Sequence, residues 1–383
     1  MSATKPIPLS VLQVIPALDA GGAERTAVDV ARAVVRAGGK AWIATKGGRL
    51  AAEAQGAGAT IIEGPFGSKN PLTIWRNAKL LAGVIRENAI TIVHARSRAP
   101  AWSAYLAARR TGVKYVATYH GIYNAKSGLK RWYNGIMARG DAVIANSQYT
   151  ADHVAAEHKV EPKKLHVIPR GIDVHGFTPE RVTPDRIDVI RKQWNLIQGK
   201  PVIVMPGRLT RWKGQLVFIE ALARLPRRDF IAVMVGDAQE RDAYVDELHA
   251  SVRRLNLTDI TRIPGHCSDM PAAFMAADVI VAPSIEPEAF GRVAVEAQAM
   301  GKPVVASRLG AQTETVLDGV TGFLFPPGDA QALAEGIARA LTLGADQRQA
   351  MAKKARERVL ASYSVEAMSD ATLSVYRDLL KAP

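Results

Sequence analysis

Glu288-Ala289-Phe290-Gly291-Arg292-Val293-Ala294-Val295-Glu296 follows the strand-like run Asp278 to Ser284, and the reading of this stretch decides the fold. The apolar run predicts a buried strand, the Phe-Gly a turn, and the residues from about Gly291 a helix. Open α/β sheets present side chains to ligands in this way, at the carboxyl ends of parallel strands. One glutamate starts the turn and the other lies a turn or more into the helix, so both can face one crevice. The Phe290 and Gly291 N–H groups then point at a polar ligand. Carboxylates accept hydrogen bonds from hydroxyl pairs, and a glycine lets the main chain come close, which suits a polyhydroxylated substrate such as a sugar nucleotide. The simpler alternative is a pair of solvated glutamates favoured by the positive end of a helix dipole. Glu286 is a distractor, since its spacing to Glu296 does not match.

The same strand-turn-helix unit recurs in both directions. Strands are predicted at Leu9 to Ile15, Ala41 to Thr45, Thr60 to Ile62, Thr91 to His94, Tyr115 to Tyr119, Ala142 to Ala145 and Leu165 to Ile168. The pattern loosens between Phe177 and Gly199, with Pro179 and Pro184 before a short helical segment, and restarts at Val202 to Met205. Further strands are expected at Ile231 to Val235, Ile260 to Ile263, Val279 to Ala282, Pro303 to Ala306 and Gly322 to Phe325. Alternation of this kind predicts parallel sheets covered on both faces. The fold class is therefore α/β, with two doubly wound, Rossmann-like domains facing each other across a cleft. The expected boundaries are 1–180 for the first domain, 181–199 for a linker, 200–362 for the second domain and 363–383 for a terminal helix.

Composition narrows the function classes. A chain of 383 residues exceeds one ordinary core. No apolar run has the length of a membrane span, and no charged segment with an apolar signal core opens the chain, so a cytoplasmic location is expected. The single cysteine, Cys267, forms no intramolecular disulfide and fits a reducing compartment. A formal charge of +14 favours anionic partners. Nucleic acid is disfavoured, because the basic residues are spread along alternating elements with no zinc spacing, aromatic RNA-binding signature or basic tail.

Chemistry-bearing residues cluster at predicted strand ends. Pro206-Gly207-Arg208-Leu209-Thr210-Arg211-Trp212-Lys213-Gly214 is a glycine turn that brings Arg208 and Lys213 to a strand end before a helix, a receptor for diphosphate. Asp19-Ala20-Gly21-Gly22-Ala23-Glu24-Arg25 lacks the G-x-G-x-x-G spacing of dinucleotide enzymes, which disfavours a dehydrogenase. The chain contains no Asp-x-Asp, so cations and a helix dipole are expected in place of a metal ion. His120 ends the strand Tyr115 to Tyr119 and is placed to bond a sugar hydroxyl. His94 reads as a packing residue and Ser147 as a helix N-cap. Arg96 and Arg98 follow a strand end and are taken, with Glu24, as the acceptor-side set for an anionic acceptor. Leu129, Trp132, Tyr133 and Ile136 fall at helical spacing beside Lys126, Lys130, Arg131 and Arg139. The preferred reading is a core-packed helix with a solvated cationic face, and the alternative is a helix resting on an anionic membrane.

These motifs together resemble the family 4 retaining glycosyltransferases of the GT-B type, over nearly the whole chain. The family usually has Pro-Phe-Gly where this chain reads Ala289-Phe290-Gly291. The resemblance implies that Glu288 contacts donor-sugar hydroxyls, with the Phe290-Gly291 turn beside it, and that Glu296 contacts the ribose. It also implies that Arg208 and Lys213 neutralise the donor diphosphate as it leaves. The Gly21-Gly22 loop would lie under the donor phosphate next to the acceptor, and His120 would contact the donor sugar. Arg170-Gly171-Ile172-Asp173 and the pair Gly310 and Glu314 match further family segments, and the terminal helix Val365 to Leu380 would pack across the interdomain seam. The function expected is metal-independent transfer of a hexose from a UDP- or GDP-hexose, with no other cofactor. The acceptor would be an anionic glycolipid or oligosaccharide in lipopolysaccharide or cell-surface glycan assembly, at the cytoplasmic face of the inner membrane with peripheral contact. A sugar-nucleotide epimerase on the same fold and a non-catalytic nucleotide or glycan-binding protein are the competing readings.

Overall fold

Apolar runs and amphipathic segments alternate through two parallel sheets of seven and six strands. The structure, a computed structural model, describes residues 9–19, 21–123 and 127–381. Two compact units emerge, Met1–Gly171 with Val365–Pro383, and Ile172–Ser364.

The first unit runs β1 (Ser10–Val14), α1 (Gly22–Arg36), β2 (Lys40–Thr45), α2 (Ala51–Gly56), β3 (Ala59–Glu63), α3 (Pro71–Glu87), β4 (Ile92–Ala95) and α4 (Arg98–Thr111). It continues with β5 (Lys114–Tyr119), α5 (Gly128–Asn134), β6 (Ala142–Ala145), α6 (Gln148–His158) and β7 (Leu165–Val167). The strand order is β3-β2-β1-β4-β5-β6-β7, with every pairing parallel. Side chains alternate between two buried faces: on β1, Leu12 and Val14 enter one apolar cluster and Val11 enters the other.

The second unit comprises α7 (Pro184–Gln193), β8 (Val202–Pro206), α8 (Gln215–Arg224), β9 (Ile231–Val235), α9 (Asp242–Arg254), β10 (Thr261–Gly265), α10 (Met270–Ala276) and β11 (Val279–Ala282). Then follow α11 (Arg292–Ala299), β12 (Val304–Ser307), α12 (Gln312–Thr315), β13 (Phe323–Phe325), α13 (Ala330–Leu341) and α14 (Ala345–Ser362). Its order is β10-β9-β8-β11-β12-β13, again parallel throughout. The last helix, α15 (Val365–Lys381), belongs to the first unit, where Met368, Leu373 and Tyr376 are buried in the cluster that includes Val28 of α1.

The linker holds the short helix expected after Pro184, whereas the stripe from Leu129 to Ile136 departs from its expected form. Residues 181–199 hold α7, with Pro184 at its start, a place where the missing N–H costs nothing. Its Ile190 and the following Trp194 are buried in the second core, and Arg186 grips Asp269 through two bonds of 2.8 and 2.7 Å. In the segment expected to pack its apolar stripe inward, Ile136 is fully buried, but Leu129 and Trp132 are 77% and 53% exposed. Lys126, one of the cations beside that stripe, like Ala20 of the glycine loop, lies outside the described residues.

Candidate active site

The order of the second sheet reverses between β8 and β11, the position at which doubly wound sheets open a crevice at the strand carboxyl ends. The loops leaving these two neighbouring strands are locked together. Gly214, at φ +82°, lies so close to the Pro283 carbonyl that any Cβ would collide with it, and the Ile285 N–H donates to the Trp212 carbonyl at 2.8 Å. Gln215 pins the same loop by donating to the Arg208 carbonyl at 2.9 Å.

This crossing brings the charged residues together. Lys213 Nζ lies 2.8 Å from Glu288 Oε1, and Ser284 Oγ donates to the same oxygen at 2.5 Å. The two charged side chains are only 12% and 11% exposed, so each depends on the other for the solvation it has lost. Glu288 is also held through its backbone, whose carbonyl accepts from Ala311 at 2.9 Å. Lys213 further sits 4.4 Å from the Trp212 ring centroid. Arg208 is exposed, with its guanidinium carbon 6.0 Å from the same ring. Arg211 is committed elsewhere, to both oxygens of Glu247 at 2.8 and 2.5 Å.

Gly291, at φ +75°, starts α11 with no side-chain cap on the helix amides. The Phe290 side chain is 5% exposed and packs edge-on to Tyr363 at 5.8 Å between ring centroids. What this turn can offer a ligand is main chain. Gln312 Oε1 and Thr315 Oγ1, both buried and without a hydrogen-bond partner among the described residues, border Gly291. Glu296 is 6% exposed and bonds Arg292 Nε at 2.5 Å; burial raises its pKa, and the Arg292 charge works against that.

In the first unit, the sheet order reverses between β1 and β4. Gly21 caps α1 in an extended conformation (φ −79°) without a side-chain bond, and the Glu24 carboxylate folds back against it. The Arg170 guanidinium lies against Gly22 and donates to the His120 carbonyl at 3.0 Å. Neither ring nitrogen of His120 has a hydrogen-bond partner among the described residues. Burial, then the nearby Arg170 and Arg96 charges, push its pKa well below the usual histidine value, so the ring is neutral at pH 7 and suited to bond a hydroxyl.

The acceptor-side set is only partly gathered there. Arg96 is 2% exposed, and its guanidinium grips Gln13 Oε1 through Nε at 2.8 Å and Nη2 at 2.5 Å, so it is enclosed instead of presented to an acceptor. Arg98 turns to Asn134 Oδ1 at 3.2 Å and lies 4.1 Å from the Tyr123 ring centroid. His94 is fully buried between the Tyr376 hydroxyl (2.5 Å) and Thr118 Oγ1 (2.7 Å), a packing role. Ser147 Oγ accepts from the Thr150 N–H at 3.0 Å, as an N-cap does.

Residues 20–175 match the sequence family described as Glycosyltransferase Family 4, and residues 186–358 match Glycosyl transferases group 1. A glycosyltransferase from Rickettsia africae is 38% identical, with 98% of this chain and 99% of that one covered and a TM-score of 0.91. The chain belongs to glycosyltransferase family 4. HepE from Anabaena, solved in complex with UDP, is 26% identical over 97% of this chain and all of its own, with a TM-score of 0.84. Among curated relatives, the D-inositol 3-phosphate glycosyltransferase of Xylanimonas cellulosilytica is 28% identical over 95% of this chain and 93% of its own.

In this family 4 glycosyltransferase, several site-lining groups escaped the sequence reading. Ser284 ends the apolar run and looks like strand. Gln312 and Thr315 sit in a four-residue helix at the Gly310 and Glu314 family segment, which gave neither of them a role. Arg170 was legible only as part of a family segment. The one usable signal was position, since each follows a strand at its carboxyl end.

Proposed function

We propose that this glycosyltransferase moves a hexose, with retention of configuration, from a nucleoside diphosphate sugar to a hydroxyl of a phosphate-bearing saccharide or cyclitol. The carrying observation is the enclosed Lys213–Glu288 pair beside the exposed Arg208 at the switch point of the second sheet. Diphosphate oxygens would replace the Glu288 carboxylate at Lys213 and engage Arg208, which frees Glu288 for sugar hydroxyls. Glu296, buried in α11, would take the ribose, and the uncapped start of α11 with Gln312 and Thr315 would meet the remaining polar groups.

The transfer needs no further group. The bond from the anomeric carbon to the diphosphate breaks with its electron pair passing to the diphosphate, where Arg208 and Lys213 stabilise the charge. The acceptor oxygen then bonds the same face of that carbon and gives its proton to a diphosphate oxygen. Support for a uridine donor comes from HepE, which was also solved with UDP-glucose at 26% identity and a TM-score of 0.79. Support for a phosphate-bearing acceptor comes from the name of the inositol 3-phosphate relatives and from the charge of +14. A place in cell-surface glycan assembly, at the cytoplasmic face of the membrane, accords with the cationic surface. Among the described residues no helix is long and apolar enough to cross a membrane.

Purified protein incubated in EDTA with UDP-glucose and inositol 3-phosphate, or with inositol, tests this reading. UDP release that requires the phosphorylated acceptor and gives an α-linked product is expected. Arg208→Ala should reduce turnover about 10²- to 10³-fold. A new sugar nucleotide formed without acceptor would identify an epimerase, and UDP binding with no turnover on any acceptor would identify a binding protein.

A further inference from the structure

The first unit carries an apolar and cationic face that the transfer reaction does not use. On α3, Leu72, Trp75 and Leu80 are 56%, 49% and 47% exposed. Their spacing places them on one side of the helix together with Arg76 and Lys79, which are also exposed. Helix α4 packs beside α3 and sets the Arg110 guanidinium 5.8 Å from the Trp75 ring centroid, with Lys79 Nζ at 6.0 Å. Nearer its other end, α4 stacks Trp102 on Trp132 of α5 at 4.7 Å between ring centroids. The exposed Leu129 and Trp132 therefore continue the same face.

The charge on these helices is one-sided. Together α3, α4 and α5 contain eight Lys or Arg residues and a single carboxylate, Glu87, at the end of α3. Arg131 is balanced by Glu157 of α6 at 2.6 Å, and Arg98 is turned inward to Asn134, which leaves the cations around Trp75 as the main outward charge. The outer face of a soluble helix is ordinarily polar, and neighbouring exposed Trp and Leu side chains mark a surface with a partner. Nucleic acid would satisfy the cations but gain little from Leu72, Leu80 and Leu129. A second copy of the chain would satisfy the apolar side chains while opposing like charges. An anionic lipid surface satisfies both, because indole rings and leucines settle at the headgroup boundary while lysine and arginine reach lipid phosphates.

We propose that the face formed by α3, α4 and α5 rests on an anionic lipid bilayer, with Trp75 and Trp132 as its interfacial anchors. The inference deepens the membrane-side placement proposed above and is independent of the donor chemistry. Full-length protein is sedimented with vesicles of phosphatidylcholine alone or mixed with phosphatidylglycerol, at low and high salt. Binding is expected only with phosphatidylglycerol and weakens with salt. It should fall about tenfold or more in Trp75→Ser/Trp132→Ser and separately in Arg76→Gln/Lys79→Gln, the second pair leaving the apolar side chains in place. UDP binding measured on the same samples stays unchanged in both variants. Its absence from the wild type would sink the transfer reading and leave the vesicle result standing. Equal binding to both vesicle types or by all variants overturns the proposal. So does variant-sensitive binding to duplex DNA in place of vesicles, or variant-sensitive dimerisation without lipid.

Discussion

Each unit encloses a cation near the carboxyl ends of its sheet, and the two solve the resulting electrostatic problem in opposite ways. In the second unit, Lys213 is balanced by a carboxylate, Glu288, itself braced by Ser284. In the first, Arg96 is buried against an amide oxygen of Gln13 and, at 3.4 Å, the hydroxyl of Thr118. Burial lowers the arginine's pKa, with only the more distant Tyr376 and Asp29 opposing it. A carboxylate partner can be exchanged for another anion at little electrostatic cost, so the Lys213 pair is suited to open for a diphosphate. A neutral amide held in a bidentate grip offers no such exchange, so Arg96 acts as a fixed strut between β1 and the end of β4.

The largest test of that contrast removes one member of the exchangeable pair. Lys213→Ala should lower turnover about 10²- to 10³-fold, and stranding Glu288 should destabilise the second unit by roughly 3–5 kcal/mol in urea unfolding. Lys213→Ala/Glu288→Ala should recover most of that stability while turnover stays low. A single variant as stable as the wild type would show that Glu288 is not held by Lys213 in the free protein. Next in size is Arg96→Leu, which leaves Gln13 Oε1 without its donors and should destabilise the first unit by about 2–4 kcal/mol. Calorimetric UDP affinity should stay within about twofold, because a strut lost from one unit should leave a nucleotide site in the other intact. A large loss of UDP affinity would place Arg96 among the ligand contacts and erase the distinction.

The two enclosed cations also differ in how far the sequence disclosed them. Strands were legible because β-branched apolar runs such as Val279 to Ala282 have few other uses, and that strand has the predicted ends. Pro303 to Ala306 proved one residue early, a slip within the ordinary uncertainty of element ends. Lys213 and Glu288 were legible as members of two motifs, but their direct pairing was not, since these residues are 75 apart in sequence and meet only because β8 and β11 are neighbours. Arg96 looked like an outward cation because a strand end is usually open. Gln13, 83 positions earlier on the adjacent strand, turns it inward. Likewise, helical spacing told that Leu129 and Trp132 share a face, while which face is covered depends on Trp102 in α4.

Asp29 gives the smallest and sharpest test, because it is the carboxylate that acts on Arg96 from a distance without pairing with it. It sits in α1, 5% exposed, 3.1 Å from Arg32 Nη1, and burial pushes its pKa up to about 6 against the opposing Arg25 and Arg32 charges. A carboxyl whose pKa is raised in the folded state holds its proton more tightly there than in the unfolded chain. Its contribution to stability is therefore complete below the unfolded pKa of about 4 and is lost as pH rises through about 6. Asp29→Asn removes this dependence. Between pH 5 and pH 7 the stability of the wild type relative to Asp29→Asn should decline by roughly 1 to 1.5 kcal/mol, read from urea midpoints of the first unit. If the difference stays constant across that range, Asp29 is already ionised at pH 5, its burial outweighed by Arg25 and Arg32, and a full carboxylate charge acts on Arg96 at that pH. The strut would then resemble the Lys213 pair, and the contrast between the units would reduce to one of distance.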